Sequence, residues 1–149
     1  VPEDPRAAEL WTAAAEGDAD DLARLARYVG EEGLRSAGAT GSRRRPALRA
    51  LAFTDLTALP FLAETASLPS DADAIDALES ILTLLDAPRR ATDPEDALEL
   101  RSGTSALLVL AKDKTKSPAR RTLAVNALRR LVDRGLVAAG DVPADLDSH

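Results

Sequence analysis

Side chains able to do covalent or proton-transfer chemistry are scarce in this chain of 149 residues. Histidine, the usual proton carrier near neutral pH, occurs once, as His149, the last residue, where chain ends fray. Imidazole-based acid–base pairs, serine triads and histidine metal clusters therefore have nothing to build on. There is no cysteine, which removes disulfides, thiolate metal sites and cysteine nucleophiles. Carboxylates are plentiful, and Asp18-x-Asp20-Asp21 and Asp71-x-Asp73-x-x-Asp76 imitate calcium-loop spacing. Neither set has the central glycine or the closing glutamate that such a loop needs. Both stand where helices are expected to begin, and acids there cap the helix and complement its positive end. Gly38-Ala39-Thr40-Gly41-Ser42 lacks both the lysine and the preceding strand of a phosphate-binding loop. A carboxylate-pair glycosidase would need two acids facing each other across a cleft, and no spacing here favours one. The expectation is a non-enzymatic protein with no catalytic residue, no metal site and no cofactor.

Recognition by charge is better supplied. The net charge is −6 and the isoelectric point about 4.8, yet the charge comes in blocks. Residues 1–40 carry −5, residues 41–54 carry +4, residues 55–100 carry −9, residues 101–134 carry +7 and the last fifteen carry −3. The first basic block holds Arg43, Arg44, Arg45 and Arg49, and the second includes Arg120, Arg121, Arg129, Arg130 and Arg134. Two readings stand side by side. Either Arg44, Arg45, Arg49, Arg120 and Arg121 line a face for a partner, or the blocks pair with the acidic stretches between them and sit near helix ends. Trp11 is the remaining candidate contact: an exposed tryptophan anchors protein interfaces, whereas a buried one fills a core poor in aromatics. That core must rest on Leu, Ala and Val, because Trp11, Tyr28, Phe53 and Phe61 are all the aromatic residues there are.

The elements that position these side chains read as helices. Leu and Ala are strong helix formers, and capped apolar segments recur between stop signals. Residues 6–16 form a first helix ending at Gly17. Asp18 caps a second, with Leu22, Leu25, Ala26 and Val29 on one face, ended by Gly30 and Gly33. Residues 36–42 read as a loop. A helix over 43–53, capped by Ser42, tolerates Pro46 in its first turn. Thr54 or Asp55 caps the next, running to about Ser67, and Pro60 within it predicts a kink or a late start. Ser70 or Asp71 opens a helix that ends before Pro88. Asp93-Pro94-Glu95 opens another, which Gly103 is expected to split. Ser117-Pro118 opens the last, which stops at Gly135. On that helix Leu123, Ala124, Val125, Ala127, Leu128, Leu131 and Val132 cover about half the circumference, wider than the roughly 100° stripe of a surface helix, so it should touch neighbours on two sides.

A pattern recurs across these helices. Arg-x-x-Ala-x-x-Ala-Leu occurs at Arg44, Ala47, Ala50, Leu51 and again at Arg121, Ala124, Ala127, Leu128, 77 residues apart. A third copy, with Asp71 for the arginine, has Ala74, Ala77 and Leu78. Alanines three apart let two helices approach closely. With Ala58-Leu59-Pro60-Phe61-Leu62-Ala63-Glu64 as a proline-containing second helix, the chain over residues 42–140 resembles the HEAT-repeat family. The middle copy departs from it at Asp71. The stretch from Leu10-Trp11 to Leu25 also resembles an ankyrin-type unit, without the Thr-Pro-Leu-His box.

The resemblance implies an all-α fold, a short right-handed α-solenoid of stacked antiparallel helix pairs. Its one domain would span 1–149: N-terminal helices or cap over 1–40, then irregular pairs over 42–68, 70–112 and 117–149. It implies a scaffold that binds another protein. The alternative is a nucleic-acid or anionic-ligand binder using the arginine-rich helix starts, and the overall acidity opposes it. No stretch approaches the roughly 20 apolar residues of a membrane span. The chain opens on Val1 and holds no Met, so a removed leader, as on export, is the expectation for compartment.

Overall fold

The computed structural model describes residues 4–39, 41–54, 56–86, 97–138, 140 and 142. Seven α-helices occupy them: α1 (Pro5–Ala14), α2 (Ala19–Ala39), α3 (Arg44–Ala50), α4 (Leu59–Thr65), α5 (Asp71–Asp86), α6 (Ala97–Lys112) and α7 (Pro118–Asp133). Among the described residues there is no strand. Each helix packs on its successor where the connection is short, as α1 does on α2, α2 on α3, α4 on α5 and α6 on α7. Helices two apart in the chain also meet: α3 with α5, α5 with α7, and α4 with α6. The chain thus folds back on itself around one apolar cluster dominated by Leu and Ala. α7 packs on both α5 and α6, which accounts for its wide apolar arc.

Helix starts follow the capping residues. Asp4 accepts the Arg6 N–H at 3.0 Å with Pro5 in the first turn, and Asp18 accepts the Asp20 N–H at 2.9 Å. Ser117 accepts the Arg120 N–H at 3.2 Å ahead of Pro118. The end of α7 is equally explicit. Gly135 turns at φ +70° while its N–H reaches Val132 O at 3.0 Å and the Leu136 N–H reaches Leu131 O at 2.9 Å, the paired bonds that close a helix through a left-handed glycine. Pro60 delays α4 to Leu59, behind a short 3-10 turn at Leu56–Ala58.

Gly30 ends the first stretch of α2 as expected: the backbone leaves helical geometry there (φ 82°, ψ 163°), and a second helical stretch runs on to Ala39. Three other expectations are corrected. Most of the expected loop over 36–42 is helical. The reason is Gly38, which brings the end of α2 against Phe61 and Leu48; a Cβ at Gly38 would lie 3.3 Å from Phe61 Cε1. Ser42 does not cap α3, whose N-cap position is Arg43 with no side-chain bond to the helix. Gly103 does not split α6, because its missing side chain makes room for Leu59 of α4. The expected start at Asp93-Pro94-Glu95, the cap at Asp55 and His149 lie outside the described residues.

Candidate functional site

The repeated motif marks where α3, α5 and α7 touch. Ala47, Ala50 and Leu51, then Ala74, Ala77 and Leu78, then Ala124, Ala127 and Leu128 are all fully buried. Small residues at these places let successive helices come close. The charged residues beside the seam then decide what the arginines can do.

α5 is acidic and lies between two basic helices. On its α3 side, Asp76 is buried, 5% exposed, and receives Arg45 Nε at 2.5 Å and Arg49 Nη2 at 3.4 Å. One turn earlier Asp73 stands 3.4 Å from Arg44 Nε, an ion pair outside hydrogen-bonding geometry. One turn later the buried Ser80 hydroxyl donates to Leu48 O at 2.7 Å. Arg43, Arg44 and Arg45 at the start of α3 oppose its dipole, and the α5 carboxylates offset the charges of Arg44 and Arg45. On the other side, Asp71 accepts Arg120 Nε at 3.2 Å and the Ser117 hydroxyl at 2.7 Å, while Asp86 meets Arg130 at 3.2 Å and Arg134 at 3.3 Å. The Asp76 carboxylate beside Arg45 pushes that guanidinium's pKa above its ordinary value.

Arg120 is a structural clamp. It is 3% exposed, and Nη1 donates to Leu68 O at 2.7 Å and to Ala66 O at 3.3 Å. Lys116 Nζ takes Ser67 O at 3.0 Å. Carbonyls left over at the end of α4 and in the following turn are thus satisfied by cations from the α6–α7 connection and the first turn of α7, where the negative helix end favours them. Arg121 is half-buried on α7, and its Nε meets no acceptor. Trp11 is 7% exposed in the core, with the Arg43 guanidinium 5.2 Å from its ring centre. Of the six residues singled out from the sequence, the structure gathers Arg44, Arg45 and Arg49 on α5, buries Arg120 and Trp11, and sets Arg121 apart on α7.

Surface clefts also lie among the described residues, and two of them involve arginines. One, of about 270 Å³, lies where the α1–α2 turn meets α5 and the end of α3, lined among others by Gly17, Arg49, Phe53, Glu79 and Thr83. Arg49 reaches it because Gly17 (φ +84°) leaves room: a Cβ there would sit 3.1 Å from Arg49 Nη1. Phe53 is 37% exposed beside it. The other, also about 270 Å³, lies between α1 and α2 and is lined by Arg6, Leu10, Arg24, Arg27 and Tyr28. Sequence reasoning passed over these three arginines because they are scattered through an acidic stretch; only the antiparallel return of α2 brings them together. Among the described residues, no group of His, Cys, Asp and Glu is arranged to hold a metal, and no helix is long and apolar enough to cross a membrane. No protein-family model, curated protein or solved structure matches the chain.

Proposed function

We propose that the chain is a non-enzymatic protein-binding module, a short HEAT-like array in which α3, α5 and α7 form one layer and α4 and α6 the other. The observation that supports it is the motif: the same Ala-x-x-Ala-Leu element is fully buried at each successive contact from α3 to α7. Repeats joined only to their neighbours leave long faces free for a partner. The cleft holding Phe53, Arg49, Glu79 and Thr83 is the contact point we favour, because aromatic and arginine side chains are the usual anchors of protein interfaces. The second reading, nucleic-acid binding through the arginine-rich helix starts, has less to support it. Arg44, Arg45, Arg49, Arg120, Arg130 and Arg134 already face the carboxylates of α5.

Peptides selected from a random library on the intact protein test this reading. Bound peptides should perturb the NMR signals of Phe53, Thr83 and Glu79, and Phe53→Ala should weaken them at least about tenfold, as loss of a hot-spot aromatic does. A DNA duplex at near-physiological salt should show no appreciable binding, since screening over about 8 Å and an acidic exterior leave small basic patches little reach. Salt-sensitive duplex binding abolished by reversing Arg44, Arg45, Arg120 and Arg121 would replace this reading with the second.

A further inference from the structure

The α1–α2 cleft differs from the seam in what surrounds its cations. Arg6 enters from the first turn of α1, and Arg24 and Arg27 enter from α2, three residues apart and so on one face. Two carboxylates, Asp4 and Asp21, interact with these cations and offset part of their charge. Asp4 accepts the Tyr28 hydroxyl and the Arg6 backbone N–H. Asp21 lies 3.6 Å from Arg24, which is 63% exposed, a pairing that solvent screens to little. Arg27 makes no ion pair with any described residue. The remaining walls are Leu10 and the ring of Tyr28, over which Arg6 lies at 5.8 Å. Three arginines thus line one cleft beside Leu10 and the Tyr28 ring, against two carboxylates that meet them, which favours an anion there.

We infer that this cleft binds a phosphomonoester, with the guanidiniums on its phosphoryl oxygens and its organic group against Leu10 and Tyr28. Guanidinium forks match oxyanions bidentately. A phosphomonoester brings about −1.5 to −2 charges and three acceptor oxygens, which answers three arginines better than a single carboxylate does. The volume is below the roughly 300–1,000 Å³ of sites for drug-sized ligands, which suits a small group or the tip of a larger one. The site shares no residue with the Phe53 cleft, so it stands whether or not that cleft binds protein.

Titration of the full chain, followed by amide and arginine side-chain NMR, decides it. Phenyl phosphate and inorganic phosphate are the probes, with phenol and sodium chloride at matched ionic strength as controls. Saturable shifts are expected at Arg6, Leu10, Arg24, Arg27 and Tyr28 with phosphate and not with the controls. In Arg24→Glu/Arg27→Glu, shown to be folded by its circular dichroism, affinity should fall at least about tenfold, because charge-assisted hydrogen bonds are lost. Tighter binding of phenyl phosphate identifies an ester as the ligand, and equal binding identifies free phosphate. Absence of saturable shifts at millimolar phosphate, shifts matched by sodium chloride, or unchanged affinity in the double variant would each overturn the assignment.

Discussion

Gly103 of α6 lies so close to Leu59 of α4 that a Cβ on the glycine would fall 2.5 Å from Leu59 Cγ. Leu59 is fully buried, so it has nowhere to retreat. Replacing a glycine inside a helix by alanine normally gains about 1 kcal/mol, whereas overpacking a filled core costs about 1–3 kcal/mol. Gly103→Ala should therefore lower the urea midpoint. A raised midpoint would show that Leu59 can yield. Leu59→Ala should cost less in the Gly103→Ala background than alone, since each change relieves the other.

Arg120 and Arg45 both pair with α5 carboxylates, yet their removal should differ in effect. Arg120→Ala strips a buried cation from two carbonyls and Asp71, and a loss of about 2–4 kcal/mol is expected from several charge-assisted bonds. Arg120→Lys should restore only part, because an ammonium cannot reproduce the guanidinium fork. Arg45→Ala should cost less than Arg120→Ala, because Arg45 is itself half exposed and Arg49 still faces the buried Asp76. Chemical denaturation of the three variants gives the order directly, and equal losses would contradict the clamp assigned to Arg120.

Leu51, Leu78 and Leu128 hold the same place in three copies of the motif and are all fully buried. Each Leu→Ala change should cost about 2–5 kcal/mol. Arg44→Ala, at the same motif, should cost far less, because its ion pair is partly solvated. Trp11, the lone tryptophan, reports unfolding in each case through a red shift of its fluorescence.

Tyr28 is the single tyrosine, so its ionisation can be followed by absorbance without overlap from another phenol. Its hydroxyl donates to Asp4, and this raises the Tyr28 pKa above the ordinary tyrosine value while lowering that of Asp4. Asp4→Asn should bring the Tyr28 titration back down toward normal. The Tyr28 share of stability is complete below the unfolded tyrosine pKa and disappears as pH rises through the raised folded value. The Asp4 share is present above the unfolded carboxylate pKa and disappears as pH falls through the lowered folded one. An unchanged titration in Asp4→Asn would rule out this coupling.

Helix content, most caps, the late start forced by Pro60 and the buried motif leucines could be read from local residues, because capping and periodicity act over a few positions. The second of the two readings of the basic blocks was also visible, as alternating charge along the chain. What escaped were contacts between residues distant in sequence. Gly38 and Gly103 look like helix breakers in isolation, and only Phe61 and Leu59 show that they are close-approach sites. Arg6, Arg24 and Arg27 carry no motif, and their convergence depends on how α2 returns along α1.

The sign alternation from α3 to α5 to α7 also acts as a sorting rule. The Ala-x-x-Ala-Leu element is the same in all three copies, so it does not by itself distinguish α3 lying on α7 from α3 lying on α5. That mistake would set arginines against arginines, whereas the acidic helix fits between two basic ones. Arg120 aside, these half-exposed pairs add little to the depth of the native state and should act more on its separation from misassembled ones. Salt weakens that discrimination as it screens the charges, so the yield of native protein on refolding should fall at high ionic strength.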